Sequence, residues 1–282
     1  LLKAKNDSIK GSFVYPYWHP SGKYCAFSTN QTKQGFHVVK DERVEVFDLS
    51  SDVLVYDVAK HEVILDTLLA TKPYSENSPV FSADGKTLYY LTCLQQDYPE
   101  NYKNEKYNIC RVSFNPDNGT FGDRVDTIYN AVEKGKTATW PRPSYDGRYI
   151  MFTQMDYGYF SIWHKESDLW LLDLATMEAH PLTAANSNDA DSFHNWSAGS
   201  HWFVFTSRRD DGLYTNLYLS CVDGNGNATK AFLLPQRNPK EYYTNTVYSF
   251  NTPDFTSHPV DIDSRTISVA IESDKRIDTK VR

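Results

Sequence analysis

The chain has 282 residues, 40% apolar and 15% aromatic, with 20 Tyr and 15 Phe and a formal net charge of -7. This is a globular composition, enriched in residues that suit pleated surfaces, and the length allows one large core or two modest ones. No apolar run reaches the roughly 18 residues of a membrane helix, and no Lys/Arg block supplies the basic patch of a nucleic-acid surface.

Along the chain, LLKAKNDSIKG lacks the apolar stretch and small-residue cleavage site of a signal peptide. Residues 1–15, with a polar turn at Asn6-Asp7 and then Phe13-Val14-Tyr15, read as the outer half of a repeat. A strand at Tyr24–Ser28 follows, then a loop with Gly35 and His37, a short segment at Val44–Leu49, and strands at Asp52–Asp57 and Glu62–Leu65. The next unit has strands at Leu88–Thr92, Asn108–Ser113 and Val125–Tyr129, with the polar loop QQDYPENYKNEKY after the first. The third has Tyr149–Thr153, the aromatic loop MDYGYFSIWHKE, Asp168–Asp173 and a piece around Leu182. The fourth has Trp202–Ser207, the loop RRDDGLY, Thr215–Cys221 and Ala231–Leu234. After Phe250 the sequence fits no complete repeat, and Thr266–Ile271 reads as one ring-closing strand.

These units are copies of one pattern. WHPSGKYCAFST, FSADGKTLYYLT, WPRPSYDGRYIMFT and WSAGSHWFVFTS each lead from a tight polar turn into an apolar strand. With Trp18, Phe81, Pro143 and Trp196 taken as equivalent, successive copies start 63, 62 and 53 residues apart. Asp-Gly and Ser-Gly suit tight turns, whereas the fourth copy carries Gly199-Ser200, which points to a different turn. YCAF, LYYL, YIMF and WFVF are apolar on successive residues, the mark of strands covered on both faces. Long 3.6-period runs are absent. The sequence predicts an all-β propeller of four-stranded antiparallel blades, with four clear repeats and partial repeats at both ends, either completed by degenerate blades or part of a six-bladed ring. Residues 1–255 are assigned to the propeller (repeat cores near 12–65, 78–129, 140–183 and 194–235), and residues 256–282 to an extension or ring-closing strand.

Cys25, Cys93, Cys110 and Cys221 lie in or beside strands, without CxxC or CxxCH spacing. They read as buried thiols, with a Cys93–Cys110 disulfide as the alternative. Asn30, Asn118 and Asn227 head NxS/T triplets at expected turns, which implies exposure. His19, His164, His194 and His201 show no HExxH or short paired spacing, and His19 reads as packing on its turn. No GxSxG elbow occurs. Neither metal nor cofactor is expected.

The units PSGKYCAFST, SADGKTLYYLT and SYDGRYIMFT, each followed by a strand such as SDLWLLDL, resemble the WD40-like (PD40) repeats of the TolB family over about residues 12–235. YPYWHPSGKYCAFSTN, GYFSIWHKESDLWLLDL and FTSRRDDGLYTNLYLS look like uncharacterised TolB-like periplasmic or lipoprotein-type proteins of Bacteroidetes. The resemblance implies a propeller of the cell envelope that binds a protein, peptide or glycan. TolB's second N-terminal domain has no counterpart in the repeats.

Loops between the turn-led strand and the next strand should share one face of the ring, where binding residues collect. Tyr157, Tyr159, Phe160, Trp163 and His164 make the third such loop densely aromatic, which suits either a cover over the core or a rigid contact surface. Arg208 and Arg209 end the fourth strand. They could grip a carboxylate, or pair internally with Asp210, Asp211 or a neighbouring blade. The leading expectation is a non-catalytic binding propeller that recognises a protein, peptide or glycan through its loop face or central channel. The alternatives are a glycosidase or polysaccharide lyase propeller, with Asp97, Glu105 and Asp156 as loop carboxylates, a peptidase-associated propeller, or a purely structural module.

Overall fold

In the computed structural model the chain is a four-bladed β-propeller, described over residues 2–4, 9, 12–34, 46–98, 100–244 and 248–282. The Asn6-Asp7 turn, the loop at Gly35 and His37, and the first two residues of Val44–Leu49 lie outside the described residues.

Each blade opens with an inner strand lying upstream of the Gly turn. These are Ser12–Trp18, Tyr74–Phe81, Thr137–Pro143 and Asp191–Trp196. Second strands follow at Tyr24–Gln34, Thr87–Leu94, Tyr149–Met155 and Trp202–Ser207. Third strands run Val46–Asp57, Tyr107–Asn115, Asp168–Asp173 and Asn216–Cys221. Outer strands are Glu62–Ile64, Thr120–Tyr129, Ala179–Pro181 and Phe232–Leu233. Phe13-Val14-Tyr15 therefore belongs to an inner strand and not to the outer half of an earlier repeat. All blades pair antiparallel, so the first and third connections share one face (the turn face) and the second connections and blade crossovers share the other (the loop face).

The register confirms the repeat alignment: Trp18, Phe81, Pro143 and Trp196 pair with Cys25, Leu88, Ile150 and Phe203. The turns agree as well. Gly22, Gly85 and Gly147 have φ near +70°, and Ser200 takes the same left-handed position at +57°. The fourth turn is thus of the same kind, with Ser200 and not Gly199 at the critical place. Its hydroxyl accepts the Asp146 N–H of the neighbouring blade, an interaction glycine could not make.

Second strands are buried on both faces, as the apolar runs require. Separate clusters fill the spaces between blades: Tyr24, Val55, Phe81 and Tyr90 between the first and second, Tyr89, Ile109, Ile150 and Phe152 between the second and third, and Met151, Leu171, Phe203 and Phe205 between the third and fourth. All four cysteines are free. Cys93 stands opposite Tyr107 while Cys110 stands opposite Tyr90, an odd offset that sends the two thiols to opposite faces of one blade. Asn30 is buried within a second strand and donates to Asp48, so its triplet is not an exposed turn, whereas Asn118 and Asn227 are exposed.

Residues Thr266–Ile271 lie in an exposed helix, Ser264–Glu272, capped by Asp263, and not in a strand. The edge-covering role falls to Ile277–Val281, which pairs in parallel with Glu62–Ile64 on the outside of the first blade. Leu2–Ala4 adds beside it.

Candidate functional site

The axis is closed by side chains from a feature that every inner strand repeats. Tyr15, Ser78, Trp140 and Phe193 all have positive φ, between 48° and 55°, and each sits at a register shift against the second strand. Three of them precede proline (Pro16, Pro79, Pro141), which has no N–H to leave unpaired at a bulge. The bulges turn these side chains inward. Tyr15 meets Trp140 edge to face at 5.4 Å, Trp140 meets Phe193 at 4.9 Å, and Tyr159 packs on both Tyr15 and Trp140 while bonding Ser78 through its hydroxyl.

Tyr159, expected as a surface anchor, is 1% exposed and completes this plug. Burial, followed by the neighbouring Tyr15, raises its phenol well above the usual value. The plug separates the axis into two mouths.

On the loop face, aromatic contacts cross from blade to blade. Phe47 of the first blade touches Tyr98 and Tyr102 of the second, at 5.2 and 5.6 Å. Tyr102 meets Tyr157 of the third, and Tyr157 meets His164. Trp163, 39% exposed, carries the Arg208 guanidinium of the fourth blade 4.8 Å above its ring. Phe160 is half-buried and leans edge-on against Tyr159. His164 is buried and shares a hydrogen bond with Glu166, which holds that carboxyl below the usual range. Among the expected residues, Tyr157 and Trp163 thus remain as partly exposed rings of a belt. Phe47, Tyr98 and Tyr102 belong to it too. The signal for Tyr98 and Tyr102 was the tyrosines of QQDYPENYKNEKY, which its many polar residues obscure, while Phe47 lay in the segment Val44–Leu49.

The two arginines part company. Arg209 binds the wholly buried Asp191 at 2.7 Å, donates to the Ala185 carbonyl and Ser207 hydroxyl, and lies 4.4 Å over Tyr218. Its carboxylate partner is therefore neither Asp210, which accepts from Tyr218 and Asn216, nor Asp211, which caps the backbone at Leu213 and Tyr214. Arg208 is buried, with its backbone N–H on the Ala190 carbonyl.

Beside Arg209 lies an open cleft of about 930 Å³ lined by Lys165, Asp168, Asp189, Asp210 and Asp211 among others. Burial, then the adjacent Asp191, pushes the Asp168 carboxyl up to about 6. Of the loop carboxylates singled out earlier, Asp156 pairs with Lys136, while Glu105 is buried and accepts from the Tyr107 hydroxyl. Asp48 is a further buried carboxylate, held by Asn30, Thr32 and Asn77. The described histidines do not converge. His19 packs on Phe81 and bonds Ser21 and the Gly85 carbonyl, and His194 is buried, with its ring pushed down to about 3 by desolvation. No group of three or more His, Cys, Asp or Glu side chains among the described residues could hold a metal ion, and no described helix is long and apolar enough to cross a membrane.

No family model matches this chain, and no curated protein matches it. Among solved structures, it is similar to prolyl oligopeptidase B from Galerina marginata bound to a 35-residue hydrolysis and macrocyclization substrate, at 13% identity and TM-score 0.48, covering 82% of this chain and 28% of that one. An oligogalacturonate lyase in complex with manganese gives 12% identity and TM-score 0.48, covering 79% and 53%. The Dos1 propeller gives 12% identity and TM-score 0.42, covering 83% and 64%. The chain spans about a quarter to two-thirds of the length of these proteins, and its propeller architecture stands on its own sheet topology.

Proposed function

We propose that this chain is a non-catalytic binding propeller of the TolB-like type, acting in the bacterial cell envelope and holding a protein, peptide or glycan against its loop face. The observation that carries the reading is the aromatic belt Phe47–Tyr102–Tyr157, extended by the Trp163–Arg208 pair, because it joins loops of all four blades while leaving ring surface exposed. Rigid aromatic side chains fixed by neighbours lose little entropy on binding, which favours them as anchors. The PD40-like repeat sequences support the envelope assignment.

The test is capture from a bacterial envelope extract by the immobilised chain. Replacing Tyr157 and Trp163 together by Ala is expected to lower capture at least roughly tenfold, as loss of two anchors implies, with thermal unfolding little changed. Undiminished capture removes the reading.

A second reading, turnover of a glycan or peptide, is favoured by one observation. Asp168, with its carboxyl raised toward neutrality, faces the cleft with other carboxylates near it, the kind of split environment that acid–base pairs use. It predicts product release from polysaccharide or peptide that Asp168→Asn abolishes.

A further inference from the structure

The four equivalent rim positions on the turn face differ in one respect. Phe81 and Trp196 are 2% and 3% exposed and Pro143 is buried. Phe81 packs on His19 of the preceding blade, and Trp196 donates its indole N–H to the Arg142 carbonyl in the preceding inner strand, at 3.0 Å. Trp18, the member in the first blade, is 58% exposed, and no described carbonyl takes its indole N–H. It stands at the edge of an axial depression of about 590 Å³, whose lining includes Pro16, Tyr17, Pro143, Tyr145 and Asp254. Tyr145 is 52% exposed. The Arg142 guanidinium lies 5.9 Å from the Tyr17 ring, with its Nε on Asn195 and Nη1 on the Pro141 carbonyl. Asp254 is exposed and contributes a carboxylate to the lining. The Pro253 carbonyl before it accepts the Asn195 side-chain amide, which ties this part of the chain to the fourth blade.

We propose that this depression is a second binding site, on the face opposite the aromatic belt, for an extended peptide bearing a basic side chain. The repeat itself supplies the template: where a Trp at this position is covered, what it bonds is the backbone carbonyl of an extended strand. A bound segment gives Trp18 the same acceptor. Its Lys or Arg head meets Asp254, and the aliphatic stem lies along Tyr17 and Tyr145, as amphipathic side chains do on apolar surface. Proline and aromatic walls with few hydrogen-bonding groups suit such a stem better than the many hydroxyls of a sugar.

The test uses the full chain over immobilised capped hexapeptide libraries with a central Lys, Arg, norleucine or Glu and randomised flanks. Retention on the Lys and Arg libraries is expected to exceed that on the other two roughly tenfold, in line with one charge-assisted contact. Asp254→Asn is expected to erase that preference. Trp18→Phe, which keeps a ring and removes the N–H, is expected to weaken retention on every library roughly two- to tenfold, the range for one hydrogen bond. Trp163→Ala, on the other face, is expected to change nothing, so this proposal and the loop-face reading fail separately. Equal retention on all four libraries, a basic preference that survives Asp254→Asn, sensitivity to Trp163→Ala alone, or a dimer in solution that Trp18→Ala dissociates would each overturn the proposal.

Discussion

Tyr15 and Trp140, from inner strands on the first and third blades, meet edge to face at 5.4 Å across the propeller axis, each held at positive φ by a bulge in its own strand. Left-handed backbone at a bulky residue costs of order 1–2 kcal/mol, so these positions persist only because packing over-determines them. Tyr159 supplies much of that packing. Tyr159→Ala is therefore expected to destabilise the fold by about 3–5 kcal/mol, the range for removing a large buried aromatic. Trp163→Ala, at the half-exposed belt, is expected to cost less than about 1 kcal/mol. Urea unfolding of both variants separates the plug from the belt, and equal losses would contradict the division.

The turns of the first two blades meet at His19, whose Nε2–H donates to the Gly85 carbonyl at 2.9 Å. Gly22 and Gly85 share a φ of +70°, but a Cβ at Gly22 meets open space while one at Gly85 falls 2.1 Å from His19 Nε2. Gly22→Ala is expected to cost about 1 kcal/mol from backbone conformation alone. Gly85→Ala must also displace His19 from the Gly85 carbonyl and from Phe81, which adds the loss of a buried hydrogen bond of about 1–3 kcal/mol. Thermal melts of the pair check the difference, and matching melting temperatures would show that the first and second blades do not lock through this histidine.

Arg209, itself partly exposed to the cleft, pairs with Asp191, which is wholly inaccessible. Removing one partner strands a charge, so Arg209→Ala is expected to cost roughly 3–5 kcal/mol, whereas replacing both by apolar residues of similar volume is expected to be near neutral. A double-mutant cycle on unfolding free energy measures this. Additive losses would mean that the two side chains act independently.

The repeat, its period and the burial of the second strands were readable because an uninterrupted apolar strand preceded by a Gly turn has few other meanings. The inner strands were harder. SFVYPYW and TATWPRP carry prolines and no alternation, since a bulge breaks the period of two, and so Phe13-Val14-Tyr15 read as the outer half of an earlier repeat when it belongs to the first inner strand. SRTISVAIE contains Thr, Ile and Val, which favour strands, yet no described strand pairs with it, and the Asp263 cap with local hydrogen bonding holds it helical. In the belt, Tyr157 and Trp163 stood out in an aromatic loop, while Tyr98 and Tyr102 were diluted among polar residues and Phe47 lay in the short segment Val44–Leu49, with nothing to mark it for the loop face. Arg209 could not be paired correctly from sequence, because Asp191 lies 18 residues away across a strand pair that only the register brings together.

Glu76 offers a pH test of the interface between the first two blades. Its side chain is fully buried, with one oxygen accepting from the Thr71 N–H and hydroxyl and the other, Oε2, without a partner among the described residues. Burial pushes its pKa up from 4.5 to about 7, with nearby Asp52 adding to the rise and Thr71 and Lys72 opposing it. The native state therefore keeps a proton that the unfolded chain sheds between pH 4.5 and 7. In that window the native state binds more protons, so stability falls as pH rises, and the contribution present below pH 4.5 is gone above pH 7. The loss from this one group is at most about 3 kcal/mol. Glu76→Gln keeps an acceptor for Thr71 and cannot ionise. It is expected to flatten this part of the profile and to be more stable than the parent at pH 8, by less than that limit because its amide NH2 takes the place of an unpartnered oxygen. Urea unfolding of both chains from pH 4 to 8 provides the comparison, and parallel profiles would show that Glu76 is already ionised in the folded chain at pH 5.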